Sequence, residues 1–380
     1  MSLPPAAILG STRVAAAGTA AFAGIRVMLC DDSATVRGIM TRLLDAEADI
    51  KVVAAARDGA QAIATLQAMA PDQRPHLVLL DLEMPVMDGM TALPHLLRLR
   101  PAPAVIVASA LTQRGAAAAM AALRAGAVDY VPKPTSAGGG IADPAFRQEL
   151  LAKLRGWARM RRPAAATPAT PGTARPRAAL SLARPPRAIG IGSSTGGPQA
   201  LALLVRNLPR TLGVPVVVVQ HMPAGFTTML ADHLNRLGGP PAAEARDGEA
   251  LLPGRIYVAP GDHHLLVEAH AGGLKAVLSN GAPENFCRPA VDPMLRSLSA
   301  ATDGRVLAVM LTGMGQDGLL GCRAVAAAGG AVIAQDEASS VVWGMPGAVA
   351  KAGLAQWQGP PDALAGQIRQ ALGLEKGRAA

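Results

Sequence analysis

The stretch Gly192-Ser193-Ser194-Thr195-Gly196-Gly197-Pro198 carries the first sign of chemistry in this chain. A β-branched run, Ala188 to Ile191, enters it, and Pro198 opens an apolar-periodic segment that reads as a helix to Leu208. Gly192, Ser194 and Gly196 fit the Gly-x-Ser-x-Gly spacing of a nucleophile elbow, where small neighbours leave room for a serine on a sharp strand-to-helix turn. The N–H after that serine would face a developing oxyanion, aided by the helix N-terminus. Two other readings stay open on the loop alone: a structural turn, and a dinucleotide loop begun by Gly190 and Gly192. Against the second, Thr195 occupies the place of the third glycine, and the next strand, Val214 to Gln220, ends in His221 instead of an acidic residue.

His221 and Asp317 could complete an acyl-transfer site. Asp317 lies in the Gly-rich loop Leu311-Thr312-Gly313-Met314-Gly315-Gln316-Asp317-Gly318, after another strand-like run. In such a site Ser194 attacks an ester carbonyl, His221 takes its proton and returns it to the leaving alcohol, and Asp317 fixes the imidazole tautomer. The order Ser…His…Asp differs from that of the α/β-hydrolases. The blander alternatives are a turn or cap aspartate and a merely polar surface histidine. Asp262, His263 and His264 compete as base or metal ligands, although Pro260-Gly261-Asp262 reads as a hairpin turn.

A second constellation lies nearer the N-terminus. Asp31 and Asp32 end one strand-like run, Asp81 and Ser109 end two others, and Lys133 follows a fourth. Three converging carboxylates would repel one another without a cation; with Mg²⁺ they form a hard oxygen site to which Lys133 adds positive charge. The alternative is a set of N-caps and turn residues.

The elements that must position these groups alternate. Strand runs at Ile25–Cys30, Val52–Ala55, Leu77–Leu80, Val105–Ala108 and Val128–Val131 interleave with helical patterns near 34–47, 59–70, 89–99, 113–125 and 144–160. Five βα units predict a parallel sheet covered on both faces, with ligands at the carboxyl ends of its strands. Beyond residue 188, strands are expected at Ala188–Gly192, Val214–Gln220, Val306–Leu311 and Ala331–Gln335. Short β segments at Arg255–Ala259, His264–Val267 and Leu274–Ser279 suggest a hairpin appended to a mostly parallel sheet. The organisation expected is a disordered extension over 1–23, a first α/β domain over 24–140, a helix and basic Pro/Ala-rich linker over 141–187, and a second α/β domain that carries Ser194, His221 and Asp317 over 188–375.

Composition narrows the function classes. The net charge is +9, yet residues 24–134 and 188–380 are each balanced, and 135–187 hold ten basic and two acidic side chains. The charge therefore belongs to a linker. With aromatics at 2%, no folded basic face with stacking rings is available for nucleic acid. No apolar run approaches the roughly 18 residues of a membrane span, and no basic n-region precedes the Ala-rich start. Three scattered cysteines give neither a disulfide framework nor a zinc site. A cytoplasmic, monomeric protein is expected.

Asp31-Asp32-Ser33, Leu80-Asp81-Leu82-Glu83-Met84-Pro85 with Asp88-Gly89, Ser109 and Lys133-Pro134 together resemble a response-regulator receiver domain, which implies a flavodoxin-like (βα)5 fold. The resemblance implies that Asp81 accepts a phosphoryl group from a histidine kinase and that Asp31 and Asp32 help hold Mg²⁺. It further implies that Ser109 and Lys133 hold the acyl phosphate and that Tyr130 is the aromatic switch residue. Gly192 to Pro198, Gln220-His221-Met222-Pro223, Ala259-Pro260-Gly261-Asp262, Leu311 to Gly315 with Asp317-Gly318, and Gly344-Met345-Pro346 resemble a chemotaxis methylesterase domain. The whole chain is similar to the chemotaxis response-regulator protein-glutamate methylesterase family. That resemblance implies a doubly wound α/β hydrolase domain with Ser194, His221 and Asp317 as triad and Met314 supplying an oxyanion N–H beside Thr195. The implied substrates are methylated glutamates on cytoplasmic helices of chemoreceptors, released of methanol without a cofactor, with glutamine deamidation in many members and the receiver as a gate. Ser193 stands where the family usually has a small residue such as alanine. An esterase acting on another protein, and a non-catalytic receiver-gated binding module, are the competing expectations.

Overall fold

Two parallel sheets, each made of strands that read as nearly unbroken apolar runs, organise the chain. A computed structural model describes residues 24–110, 112–133, 143–161 and 184–374. The expected N-terminal extension, the Gly138–Gly140 run and most of the linker lie outside the described residues. The first sheet has the order β2-β1-β3-β4-β5, from β1 (Ile25–Cys30), β2 (Ile50–Ala56), β3 (Leu77–Asp81), β4 (Ala104–Ser109) and β5 (Asp129–Pro132). Its pairings are all parallel. Helices α1 (Ala34–Asp45), α2 (Gly59–Ala68), α3 (Gly89–Arg98), α4 (Gln113–Arg124) and α5 (Pro144–Arg161) cover it. The first four start alike: Ser33, Asp58, Asp88 and Thr112 each accept the backbone N–H three residues on, satisfying a donor that the helix cannot. On α5, Leu150, Leu151 and Leu154 join Val27, Leu29, Leu77 and Ile106 in one apolar cluster. The helix expected at the start of the 141–187 segment therefore packs on the first sheet, where its apolar stripe is buried.

The second sheet has the order β14-β13-β12-β6-β7-β9-β8 and is parallel throughout. Its strands are β6 (Ala188–Ser193), β7 (Val216–Gln220), β8 (Ala242–Glu244), β9 (Ile256–Val258), β12 (Val306–Met310), β13 (Ala331–Gln335) and β14 (Trp357–Gly359). The appended hairpin is β10 (His264–His270) paired antiparallel with β11 (Gly273–Ser279). β9, which the sequence groups with that hairpin, pairs instead with β7, and its three side chains are buried on both faces as a central parallel strand requires. Helices α6 (Gly197–Arg206), α7 (Phe226–Asn235), α8 (Val291–Ala301), α9 (Leu319–Ala327), α10 (Met345–Lys351) and α11 (Pro361–Ala371) surround the sheet. The chain runs from β6 to β7 on one side and returns to β12 on the other. β6 thus stands at a reversal of strand order, where a crevice opens at the carboxyl edge. Among the described residues no helix is long and apolar enough to cross a membrane.

One apolar cluster runs through both halves. The Tyr130 ring stacks on Phe226 with centroids 5.0 Å apart. Gln199 donates to the Ala127 carbonyl at 2.9 Å, and Arg159 donates to the carbonyls of Glu337 and Ser340. Beside Tyr130, the Lys153 ammonium is buried with Glu149 at 2.7 Å, Asp129 at 3.6 Å and the Tyr130 carbonyl at 2.5 Å. Burial works against that charge, but the two carboxylates outweigh it and raise the lysine's pKa.

The backbone of β6 approaches α8 so closely that a Cβ on Gly190 would lie 2.6 Å from Leu295 Cδ2. Gly190→Ala should therefore cost about 1–3 kcal/mol. Chemical denaturation monitored by circular dichroism should show a lower midpoint with an unchanged slope; an unaltered midpoint would mean that α8 is free to shift.

Candidate active site

Strands β12, β6 and β7 lie side by side and deliver the expected residues to one edge, with Met310 opposite Gly192 and Ser193 opposite Gln220. Ser193 is fully buried, and its hydroxyl donates to Gln220 Oε1 at 2.7 Å. Ser194 is half-buried and lines a cleft. Its N–H donates to the Thr312 carbonyl at 3.0 Å, and its own carbonyl accepts from Gly197 N–H and Gln220 Nε2. Gln220 thus ties the serine turn to the end of β7, while Ser193 satisfies the other end of its amide. Gly196, the N-cap of α6, has φ +73°, a left-handed conformation that glycine adopts without strain. A Cβ there would also lie 2.5 Å from Val341, and one on Gly192 would lie 2.6 Å from Val291. Thr195 and Met314 line the same cleft, and among the described residues neither backbone N–H donates to a protein acceptor.

Asp317 is buried and joined to His221 by a 2.8 Å contact between Oδ2 and Nε2. Its carboxylate accepts from the N–H groups of Val291 (2.6 Å), Asp292 (3.1 Å) and Gly318 (2.9 Å) and from Asn285 Nδ2 (3.0 Å). Val291 and Asp292 open α8, so the carboxylate also faces the positive end of that helix. Burial works against its charge, but His221 and these N–H groups outweigh it and hold the carboxyl below its usual range. On His221, burial likewise opposes the charge, yet the bonds to Asp317 and Cys287 raise the imidazole to about 10. The second ring nitrogen, Nδ1, lies 3.5 Å from Cys287 Sγ.

Asn285, Cys287 and Asp292 escaped the sequence reading. Asn285 Nδ2 bridges Asp317 and Asp292, whose own carboxyl is pushed up by burial and by the charge of Asp317. The only sequence signal was Asp292 before Pro293, which reads as an ordinary first-turn acid. The competing histidine does not join the site: His264 is buried and spends both ring nitrogens on the backbone of Ala282 and Ala290. Asp262 has φ +67° and bonds through its N–H to Arg288, and neither it nor His263 lines the cleft.

At the carboxyl edge of the first sheet, ligand oxygens of Asp31, Asp32 and Asp81 lie within 4.8 Å of one another. Lys133 Nζ is 2.6 Å from Asp81 and 3.1 Å from Asp31. Burial raises the Asp81 carboxyl, which Lys133 offsets only in part. One ammonium among three carboxylates leaves excess negative charge on hard oxygen donors, a set that fits a divalent cation. Ser109 is buried and donates to the Gly115 carbonyl at 2.6 Å. Tyr130 is buried against Phe226.

The two edges meet across a single cleft of about 660 Å³. Ser194, Thr195, His221, Asn285, Phe286, Cys287, Met314 and Gly315 form one wall; Pro132, Lys133 and the start of α5, including Ala145, Phe146 and Glu149, form the other. Lys133 and Phe146 also line the pocket that holds Asp31 and Asp81.

Comparison with known proteins agrees with this architecture. Residues 27–140 match the response regulator receiver domain family, and residues 189–368 match the CheB methylesterase family. A protein-glutamate methylesterase/protein-glutamine glutaminase of Paramagnetospirillum magneticum is 51% identical over 87% of this chain and 91% of its own length. One from Azospirillum brasilense is 50% identical over 92% of each chain. The crystal structure of the Thermotoga maritima CheB methylesterase catalytic domain is 41% identical, covers 49% of this chain and 98% of its own, and superposes with a TM-score of 0.48. With half of its residues shared along nearly the whole length of such relatives, the chain belongs to the family of receiver-linked CheB methylesterases.

Proposed function

We propose that the protein is a phosphorylation-regulated serine hydrolase that demethylates glutamate methyl esters, and deamidates glutamines, on cytoplasmic helices of chemoreceptors. The observation that carries the chemistry is the His221–Asp317 pair beside the cleft-facing Ser194. Ser194 Oγ attacks the ester carbonyl while His221 takes its proton. Nε2 is committed to Asp317, so Nδ1 is the accepting nitrogen. The N–H groups of Thr195 and Met314 meet the oxyanion. His221 then returns the proton to the departing methanol, and a water repeats the sequence on the acyl-enzyme to release a carboxylate. With glutamine the leaving group is ammonia.

Receiver domains use Mg²⁺ and a phosphodonor kinase in phosphorylation. Here Asp31, Asp32 and Asp81 would hold Mg²⁺, which supplies neutralising charge for incoming phosphoryl oxygens, and Asp81 is the phosphoacceptor. The added group carries nearly two negative charges and competes for Lys133. Ser109 leaves Gly115 for the phosphoryl oxygens, and Tyr130 follows, loosening its stack on Phe226. A substrate helix is about 10–12 Å across and must lie along Ser194, where the start of α5 now stands. Separation of the two walls therefore admits substrate. Residues 24–140 act as receiver, with the helix of the 141–187 segment packed on it, and 188–375 act as catalytic unit.

The nucleophile is tested by methanol release from methylated receptor. Ser194→Ala should lower turnover by on the order of 10⁶, whereas Ser193→Ala, which loses one buried hydrogen bond, should keep most of it. The reverse pattern would move the nucleophile to Ser193.

The raised His221 pKa gives a pH prediction. A general base must be unprotonated, so kcat/KM should climb through the alkaline range instead of levelling near pH 7. Asp317→Asn removes the charge that favours imidazolium, so its residual activity should follow an ionisation shifted to lower pH. Identical midpoints in the two pH profiles would rule out Asp317 as the source of the shift.

The gate has its own assay. Phosphodonor with Mg²⁺ should raise methanol release several-fold, Asp81→Ala should abolish that rise, and Arg159→Ala should raise the resting rate by freeing Glu337 and Ser340. Resting activity equal to the stimulated rate in the unmodified protein would contradict gating.

A further inference from the structure

Phe286 is the most exposed large apolar side chain described, at 104% of its reference area, and it stands in the cleft wall with Ser194 and Met314. Its backbone is also strained. Glu284 and Cys287 exchange two backbone hydrogen bonds, making Asn285 and Phe286 the central pair of a tight turn with φ of +51° and +63°. Asparagine suits the first of these positions, and glycine is the residue expected at the second. An aromatic ring there costs backbone strain and exposes apolar surface together. The flanks of the turn are anchored: Asn285 Nδ2 bonds to Asp317 and Asp292, and Cys287 Sγ lies beside His221. The tip is therefore held at a fixed distance from the triad, with its ring in solvent.

We propose that Phe286 determines protein-substrate specificity by receiving an apolar side chain one helical turn from the esterified glutamate. Residues three and four apart share a helix face about 5–6 Å apart, so a helix that offers its ester to Ser194 offers such a neighbour to the turn. The ring buries its face only when that neighbour is apolar, and the anchored turn means that little conformational freedom is lost on binding. This inference rests on the esterase reading above.

The test uses the full-length protein with phosphodonor and Mg²⁺, and measures methanol release from methylated receptor and from N-acetylglutamate γ-methyl ester. Phe286→Gly removes the ring and relieves the turn. It should raise KM for the receptor about tenfold with a small effect on kcat, a loss at least about fivefold greater than on the small ester. Phe286→Leu should recover most of the affinity, and Phe286→Asp should not. Equal losses on both substrates would assign the ring to shaping the triad, and no loss on either would remove it from recognition; both outcomes overturn the inference. Failure of the unsubstituted protein to release methanol from either ester would instead overturn the esterase reading, and this proposal with it.

Discussion

A buried carboxylate that must stay charged is the constraint around which the catalytic half is built. Asp317 is removed from water, which by itself favours the protonated acid. The chain offsets that with an unusual concentration of donors from three separate segments: the start of α8, the Asn285 amide, and the N–H of Gly318. Each donor fixes a distance. α8 must approach the sheet closely enough for its first N–H groups to reach Asp317, and glycines on β6 permit that approach. The ionised carboxylate in turn engages Nε2 of His221 and leaves Nδ1 as the nitrogen the proposed mechanism uses.

The same logic of unequal charge governs the other half. Lys133 is one cation facing two carboxylates within salt-bridge distance, at the point where the pocket of Asp31 and Asp81 and the cleft of Ser194 share a wall. Lys153, on α5, holds the Tyr130 carbonyl and two acids while Tyr130 stacks on Phe226. Electrostatic change at Asp81 therefore acts on groups already joined to the interface. Two residues of the proposed switch already touch the other half: Lys133 lines the shared cleft and Tyr130 stacks on Phe226, so the proposed relay is short.

Much of this was legible in the sequence for identifiable reasons. Unbroken apolar runs such as Val216 to Val219 mark strands covered on both faces, and strand ends follow directly, which is how Ser194, His221, Asp317 and the Asp31–Asp81 set could be singled out. Edge strands of three residues, β8 and β14, carry no periodicity and left no trace. The fifth helix counts among the βα units in the sequence, yet the expected division at residue 140 sets it with the linker, because composition changes before that helix while its packing on the first sheet does not. Asn285 and Cys287 were invisible for a different reason: their importance comes from a turn whose geometry opposes its sequence, with phenylalanine where glycine is favoured. The Gly-x-Ser-x-Gly spacing already favours Ser194 over Ser193, and the burial of Ser193 supports the same choice.

The proposed mechanism depends on the pairing of Asp317 with Nε2 of His221, and nitrogen NMR of ¹⁵N-histidine-labelled protein reads it directly. The predicted result is an Nε2 that keeps its proton throughout, with a strongly hydrogen-bonded, downfield signal, and an Nδ1 that loses its proton only in the alkaline range. An Nδ1 that retains the proton while Nε2 titrates near the ordinary imidazole value of about 6.5 would contradict it.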